Sequence, residues 1–375
     1  MFRRLAILSA LACSFAATAV QALNATSISS CPALAKRTAP TKVTNLRPDD
    51  IKVVAAMGDS IMAGFAMMGI DPEGTGILNF SALTEYRGNS YGIGGDSDAV
   101  TLATFVKHYS PNVQGASRGN GLVSFCNGDF CPGAWTYNYL VDRLNAAISG
   151  SIAQNLDVQL DYLIRRMKSA SGIDFQNDWK MITIQIGSND QCASCSNPDA
   201  VTAEKYGKYV SDAVARIKAS VPRVIVNLLG VFKVSPVYTI STGQSYCRPV
   251  GNDSSTILNR QECSCFQGSE QNRTDMDRLA EAYNEQLVNI YNSYKNNQSD
   301  TFAVAYQPAN IDINTFPIDA LSNFDCFHPS LKAHQWVAKT FWNNLFIPPA
   351  QKPTEITWDE NLEIYCPTED DRIQI

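Results

Sequence analysis

The sequence predicts an α/β protein in which helices cover both faces of a central parallel β-sheet, giving three α/β/α layers. Short apolar runs alternate along the 375-residue chain with longer segments that carry apolar residues on one helical face. The runs are apolar throughout rather than at every second position, which is typical of strands buried on both sides of a parallel sheet. A chain of this length can bury a substantial core, in one large domain or two modest ones.

Four apolar runs are the predicted strands of this sheet. They are VVAAMG (53–58), MITIQIG (181–187), RVIVNLLG (223–230) and FAVAYQP (302–308). Amphipathic segments over 203–221, 276–294 and 331–345 are the main predicted helices, because their apolar residues recur at helical spacing. Residues 59–135 are richer in Gly, Asn and Ser, and we expect them to form long excursions from the sheet.

The first 22 residues have the pattern of a secretory signal peptide. Arg3 and Arg4 precede an apolar run, and Val20-Gln21-Ala22 offers small side chains at the expected cleavage positions. A first core helix is the competing interpretation. No later stretch has the length of apolar residues that a membrane-spanning helix needs. The mature protein is therefore expected to be soluble and exported, to the extracellular space or the lumen of the secretory pathway.

Cysteine usage agrees with export. Cys13 would leave with the signal peptide, and ten of the 11 cysteines would remain, an even number in a chain bound for an oxidising compartment. Cys126/Cys131 and Cys192/Cys195 are spaced for short bridges, although CASC (192–195) also allows a redox or zinc-binding motif. N-x-S/T sequons, which fit glycosylation, begin at Asn24, Asn79, Asn252, Asn272 and Asn297.

Charge excludes one class of partner. The formal net charge is -6, and removal of Arg3 and Arg4 with residues 1–22 makes it -8. An acidic chain without a run of Lys or Arg is not expected to bind nucleic acid, since phosphate neutralisation requires cationic side chains.

Function in such a sheet collects at the carboxyl ends of the strands. GDS at 58–60 follows the first predicted strand, and GSND at 187–190 follows the second. Ser60 is either a helix N-cap or a nucleophile, and Asn189 is either a turn former or a donor to an oxyanion. Gly150 in LNAAISGS is either a tight turn or a backbone N–H exposed to substrate. Asp325-x-x-His328, in FDCFHPS, holds one of only three histidines.

These four blocks resemble the SGNH (GDSL) hydrolase superfamily. GDS at 58–60, Asn145-x-x-x-x-Gly150, GSND at 187–190 and Asp325-x-x-His328 occur in the superfamily's order. The resemblance is closest to the phospholipase B1 subfamily, through LRPDDIKVVAAMGDS (46–60), EYRGNSYGIGGD (85–96), FQNDWKMITIQIGSNDQCASC (175–195) and DCFHPSLKAHQWVAKTFWNNL (325–345). Ser188 stands where that subfamily often has another small or apolar residue. The repeated domains and C-terminal anchor of membrane-bound relatives are not found here, which implies a single soluble copy.

The resemblance implies a flavodoxin-like SGNH hydrolase fold over residues 46–348. An N-terminal extension (23–45) would precede this domain, and a C-terminal tail (349–375) would pack on it. Ser60, His328 and Asp325 would form a catalytic triad, and the Ser60 and Gly150 N–H groups with the Asn189 side chain would form the oxyanion hole. No metal or other cofactor is expected.

Two features of the sequence compete with this assignment. GASRG (115–119) fits the nucleophile-elbow motif, but the residues before it do not read as a strand. Gly95 in GIGGD is a second candidate for the oxyanion glycine, although Gly150 immediately precedes a predicted helix whose N-terminus would aim an N–H at the substrate. His108 and His334 are expected on the surface or on a helix face.

The expected function is a secreted ester hydrolase acting on acyl groups of glycerophospholipids or lysophospholipids. We expect it to be a monomer that touches lipid surfaces peripherally. Neutral lipids and acetylated carbohydrates are the alternative substrates, since the superfamily handles all of these. A non-catalytic lipid- or glycan-binding protein is the alternative from another functional class.

Overall fold

The computed structural model describes residues 23–70, 83–131, 137–248, 258–296 and 299–375. The predicted signal peptide and the sequons at Asn79, Asn252 and Asn297 lie outside these residues. The strands are β1 (Leu23–Ala25), β2 (Ile51–Gly58), β3 (Thr84–Glu85), β4 (Gly121–Leu122), β5 (Trp179–Gln185), β6 (Val224–Leu229), β7 (Phe302–Gln307) and β8 (Ile364–Cys366). The α-helices are α1 (Ser60–Ala63), α2 (Leu102–Tyr109), α3 (Leu156–Ser169), α4 (Ser188–Ala193), α5 (Ala203–Ser220), α6 (Ser235–Ser241), α7 (Asn259–Glu262), α8 (Glu270–Lys295) and α9 (Leu331–Asn344).

The central sheet is parallel, with strand order β2-β5-β6-β7. These are the four predicted strands, displaced by no more than two residues at any end. Two isolated parallel bridges, Val53 with Gln114 and Ala56 with Asn145, extend the sheet beyond β2. The long excursion predicted over residues 59–135 therefore returns to the sheet edge at Gln114, and the chain after it places Asn145 beside Ala56 of β2.

Alternate residues of each strand enter separate cores on the two faces of the sheet. Val53, Ala55 and Met57 of β2 pack with apolar residues of α3, α5 and α8. Val54 and Ala56 belong to the other core, which contains apolar residues of α2 and α9. Because successive side chains of a strand point to opposite faces, both faces of a fully apolar strand require a cover. The predicted three-layer α/β/α fold is confirmed.

The two ends of the described chain are joined to each other. Strand β1 pairs antiparallel with β8, and a disulfide links Cys31 to Cys366. The Ile373 N–H also donates to the Leu46 carbonyl at 2.9 Å. These contacts lie near the amino end of β2, at the opposite end of the sheet from Gly58.

All ten cysteines after residue 22 form disulfides. Cys126–Cys131 is the short bridge that spacing predicts. The short Cys192–Cys195 bridge is wrong, because Cys192 pairs with Cys263 and Cys195 with Cys265. Cys192 and Cys195 lie in or just after α4, so the backbone there carries both thiols toward the segment that follows α7. The fifth disulfide is Cys247–Cys326. Within the described ranges, no helix is long and apolar enough to cross a membrane.

Candidate active site

Ser60 is the first residue of α1, directly after the carboxyl end of β2. Asp59 caps this helix by accepting a hydrogen bond from the Ile61 N–H at 3.0 Å, so the interpretation of Ser60 as the N-cap is wrong. Gln159 of α3 holds the strand end, since its side-chain amide exchanges hydrogen bonds of 2.9 and 2.7 Å with the Gly58 N–H and carbonyl. The Ser60 hydroxyl is thereby presented from a backbone that is fixed on both sides.

Asp325 and His328 lie on the loop that leads into α9. One carboxylate oxygen of Asp325, Oδ1, accepts the backbone N–H groups of Phe327 at 2.8 Å and His328 at 3.0 Å. The other, Oδ2, is 2.8 Å from His328 Nδ1. Cys326 between them has a φ of 50°, and its disulfide to Cys247 holds this left-handed turn in place. Asp325 is fully buried, so the loop fixes both the carboxylate and the imidazole.

The Ser60 hydroxyl oxygen is 2.7 Å from His328 Nε2. Ser60, His328 and Asp325 therefore form one continuous chain of hydrogen bonds, although 268 positions separate the first two. Phe65 and Phe327 place their rings edge-on to the imidazole, at centroid distances of 4.8 and 5.2 Å. In this geometry a neutral imidazole can accept the serine proton while the carboxylate holds its other nitrogen.

Gly150 and Asn189 line the same cleft as Ser60 and His328, a depression of about 500 Å³. Asn189 belongs to α4 and donates one N–H of its side-chain amide to the Ser151 carbonyl at 2.9 Å, which leaves a second N–H. Gly150 has a φ of +81°, a conformation that favours glycine. The helix predicted after Gly150 is present, but it starts later than predicted: a 3₁₀ turn occupies Ala153–Asn155, and α3 begins at Leu156.

Gly95 lies elsewhere. Its N–H donates to the Ser117 carbonyl at 2.8 Å, so it is already satisfied within its own loop. Ser117, the serine of GASRG, is buried and donates its hydroxyl to the Arg87 carbonyl at 2.7 Å. These contacts give both residues structural roles.

Both apolar and polar side chains line the cleft. Phe65, Val123, Phe125 and Phe327 supply apolar surface, whereas Asn127, Ser149 and Asn189 supply hydrogen-bonding groups. An ester with an apolar acyl group matches this division, because its carbonyl must meet polar donors while its chain leaves water.

Comparison with known proteins gives the same class of chemistry. The family model of the GDSL-like Lipase/Acylhydrolase matches residues 54–341. The chain belongs to this family. As a GDSL lipase/acylhydrolase it is a carboxylic ester hydrolase.

Two curated relatives and one solved structure are similar to this chain. Phospholipase B1, membrane-associated, of Homo sapiens is 31% identical over 344 residues, which are 88% of this chain and 22% of the relative. The Mus musculus protein of the same name is 31% identical over 342 residues, 88% of this chain and 21% of the relative. The chain thus spans about a fifth of the length of these relatives. An acetyl xylan esterase from Geobacillus stearothermophilus is 17% identical, with a TM-score of 0.39 over 80% of this chain and 96% of that one.

Glu262 is a residue of this acylhydrolase's cleft that sequence reasoning missed. Its carboxylate oxygen Oε2 is 3.9 Å from His328 Nδ1, and its side chain is 27% exposed. Partial removal from water, with the Asp325 charge beside it, raises the pKa of Glu262 well above its usual range. The segment NRQECSC offered no motif, and long-range contacts bring it to the site: the Cys192–Cys263 and Cys195–Cys265 bridges and a hydrogen bond of 3.1 Å from the Asn259 side chain to the Cys326 carbonyl.

Glu262, Asp325 and His328 are also the residues that could hold a metal ion in this part of the molecule, since their ligand atoms lie within 4.8 Å of one another. Both oxygens of Asp325 already accept hydrogen bonds from the backbone or from His328. A metal ion would have to displace the contact that orients the imidazole. The donor set therefore fits a triad better than a metal centre.

Buried ionisable groups surround the base of the site. Burial raises the pKa of Asp59 to about 6 and that of Asp190 to about 7. His334 lies on a buried face of α9, which falls within the expected surface or helix-face position, and its Nδ1 accepts the Tyr91 N–H at 3.2 Å. Burial lowers the pKa of His334 to about 3, so it stays neutral and serves as a structural acceptor.

Proposed function

We propose that this acylhydrolase cleaves acyl esters of glycerophospholipids and lysophospholipids, with Ser60, His328 and Asp325 as its catalytic triad. The observation that carries the proposal is the unbroken hydrogen-bond chain from the Ser60 hydroxyl through His328 to Asp325. The class of reaction agrees with the family, and the class of lipid agrees with the phospholipase B1 name of the relatives.

In the proposed reaction Ser60 Oγ attacks the ester carbonyl carbon while His328 Nε2 takes the hydroxyl proton. The imidazolium then gives this proton to the departing glycerol oxygen, which leaves an acyl group on Ser60. A water molecule, deprotonated by the same nitrogen, attacks the acyl carbon; the bond to Ser60 Oγ then breaks, His328 returns the proton to that oxygen, and the fatty acid is released. Asp325 keeps the proton on Nδ1 throughout, so that Nε2 remains the working base.

The negative charge of each tetrahedral intermediate needs donors on the other side of the carbonyl. We assign this role to the backbone N–H groups of Ser60 and Gly150 and to the free side-chain N–H of Asn189. The Ser60 N–H is available because the first residues of a helix have no intrahelical acceptor. Loss of one such donor typically costs about 2.7–4 kcal/mol of transition-state stabilisation.

An exposed apolar rim beside the cleft supports a lipid substrate and peripheral contact with lipid surfaces. Phe125 lines the cleft and is 53% exposed, and Leu122 and Phe130 are 66% and 68% exposed. Leu83 joins them, because its carbonyl accepts the Val123 N–H at 2.9 Å. Apolar side chains at the opening of the cleft favour insertion among lipid chains. Because the protein is acidic overall, attraction to anionic head groups is not expected to drive this contact.

Secretion and a monomeric state are part of the proposal. Five disulfides suit an oxidising compartment. The proposed catalytic residues and the cleft walls all come from one chain, so no second copy is needed to complete the site.

A substrate panel tests the proposal. Purified protein is incubated with diacyl phospholipid, lysophospholipid, triacylglycerol and acetylated xylan, each with and without EDTA, and the released acids are identified. We expect fatty acid from the two phospholipids, unaffected by EDTA, and none from Ser60→Ala. Release of acetate alone would redirect the proposal to carbohydrate esters. Loss of activity with EDTA, restored by a divalent ion, would contradict a triad without metal.

A further inference from the structure

A buried cluster of charges lies behind the segment that carries Gly150. Arg87 pairs with Glu85 at 2.8 Å and with Asp142 at 3.1 Å, and the side chains of all three are at most 5% exposed. The Arg87 guanidinium also donates to the backbone carbonyls of Asn145 at 3.2 Å and Ala147 at 2.8 Å. One arginine thus holds the backbone of the segment that ends at Gly150.

Glu85 extends this cluster to the residue before Gly150. Its other oxygen, Oε1, accepts the Ser149 hydroxyl at 2.6 Å and, at the longer distance of 3.4 Å, the Ser124 N–H. The Ser149 carbonyl accepts the Cys126 N–H at 3.0 Å, and the Gly150 carbonyl accepts the Asn127 side chain at 2.8 Å. The side chain of Ser149 and both carbonyls of the pair therefore have fixed partners.

These contacts determine the direction of the Gly150 N–H. A trans peptide unit is planar, so the Ser149 carbonyl and the Gly150 N–H point in opposite directions from the same plane. Because the Ser149 carbonyl points at the Cys126 N–H, the Gly150 N–H points away from Cys126, and the Glu85 contact holds the Ser149 side chain of the same residue. A Cβ at position 150 would lie 2.3 Å from the Phe125 ring, so a residue with a side chain would not fit in place of Gly150.

If the only role of this cluster were to stabilise the fold, the free energy of desolvating its charges would count against it. Burying three charges carries a desolvation penalty that apolar residues of similar volume would avoid, so buried ion pairs are weak evidence for stability. Its contacts converge on the Gly150 segment, and none of the hydrogen bonds described for it reaches Ser60 or His328. We therefore attribute the presence of this charge cluster to orientation of the Gly150 segment rather than to stability of the fold.

We propose that Glu85, backed by Arg87 and Asp142, is a positioning residue that acts through Ser149 to aim the Gly150 N–H at the oxyanion. The inference rests on the proposed function, because it needs Gly150 to be an oxyanion donor. The link improves transition-state binding without touching the ground-state substrate, so its loss lowers kcat more than it raises KM.

Ser149→Ala is the most direct test, since it removes only the hydroxyl that joins Glu85 to this peptide. We expect kcat on a soluble ester to fall on the order of tenfold or more, with KM within about threefold of wild type. Ser149→Thr retains a hydroxyl and should recover most of kcat. The matched control is Ser110→Ala, another buried serine, which accepts a hydrogen bond from Lys52 at 3.2 Å near the amino end of β2 and should leave kcat unchanged.

Glu85→Gln is the second variant. It should lower kcat at least as far as Ser149→Ala does, and adding Ser149→Ala to it should lower kcat little further, because both changes break one link. Should Glu85→Gln fail to fold, the kcat of Ser149→Ala still tests the inference by itself. A kcat within twofold of wild type for Ser149→Ala, or equal damage by alanine and threonine, would overturn the inference. Ser60→Ala distinguishes failure of this inference from failure of the proposed function. If Ser60→Ala kept its activity, the proposed function itself would be overturned.

Discussion

At the scale of single residues, the candidate site depends on contacts that hold each side chain in one orientation. The imidazole of His328 touches a carboxylate, a hydroxyl and two aromatic edges, and Asp325 is held by two backbone N–H groups. Ser60 and the Asp325–His328 pair were predictable because each sits in a short motif at a strand end or turn. Glu262 and Glu85 were not, because their partners are distant in sequence and no local pattern marks them.

Glu262 gives the imidazole a second neighbouring carboxyl group, which predicts a graded loss of activity. Asp325→Ala should lower kcat on the order of 10²- to 10⁴-fold, since it removes the group that orients the imidazole. The pKa of Glu262 should fall in that variant because the Asp325 charge no longer opposes its ionisation. A carboxylate at Glu262 would then support His328 Nδ1 in part.

Steady-state rates of the double variant measure this support. Asp325→Ala/Glu262→Gln should be slower than Asp325→Ala by about tenfold, whereas Glu262→Gln alone should stay within about threefold of wild type, because Asp325 is the nearer partner. Equal rates for the double variant and Asp325→Ala would show that Glu262 gives the imidazole no support.

At the scale of elements, the strands and long helices followed from the sequence and the short connections did not. Fully apolar runs have one stable use in a chain of this composition, as strands covered on both faces. The start of α3 was misplaced because side-chain contacts rather than local propensity shape the residues before Leu156: the Ala153 N–H donates to Asp190 and the Ile152 N–H to the Asn155 side chain. His334 lies on the face of α9 that packs on Tyr91, and its burial there depends on this distant partner, which the local sequence does not show.

Asp190 in α4 gives the structure a pH dependence whose sign can be derived. Its pKa is raised to about 7 by burial, against about 3.9 in an unfolded chain. The native state therefore holds this proton more tightly, and the stabilisation that it contributes is full below about pH 4 and lost as the pH rises through about 7.

Asp190→Asn removes that titration. The free energy of unfolding of the variant minus that of wild type should increase between pH 5 and pH 8, by about 1–3 kcal/mol. Urea unfolding at several pH values measures this difference, and other titrating groups cancel in it. A difference that is constant with pH, or that decreases, would contradict a raised pKa for Asp190.

At the scale of the whole molecule, the active site and the junction of the chain ends occupy opposite ends of the sheet. We propose one hydrolase domain over residues 46–348, with the extension (23–45) and the tail (349–375) joined across its far end. The sequence indicated that the cysteines would pair, but the long-range pairs, Cys31–Cys366 among them, depend on which segments the fold brings together. That is a property of topology, which spacing does not encode.

The Cys31–Cys366 disulfide should therefore affect stability and spare catalysis. Replacing both cysteines by serine should lower the free energy of unfolding by about 2–5 kcal/mol, because the bridge joins residues 335 positions apart and so closes a very long loop. Below the melting temperature kcat should stay near the wild-type value. Denaturant unfolding and esterase assays on the same preparation measure both, and a large loss of kcat in the folded variant would contradict this separation.

The central claim is that Ser60 is the nucleophile of this acylhydrolase, and covalent labelling tests it most directly. A reactive alkyl phosphonate resembles the tetrahedral intermediate and should bond to the serine that His328 activates. Peptide mass spectrometry after labelling should find one phosphonyl group per molecule, on Ser60, with loss of activity in proportion to labelling and no adduct on Ser60→Ala. Stoichiometric labelling of another residue such as Ser117, or full activity after Ser60 is blocked, would contradict the account.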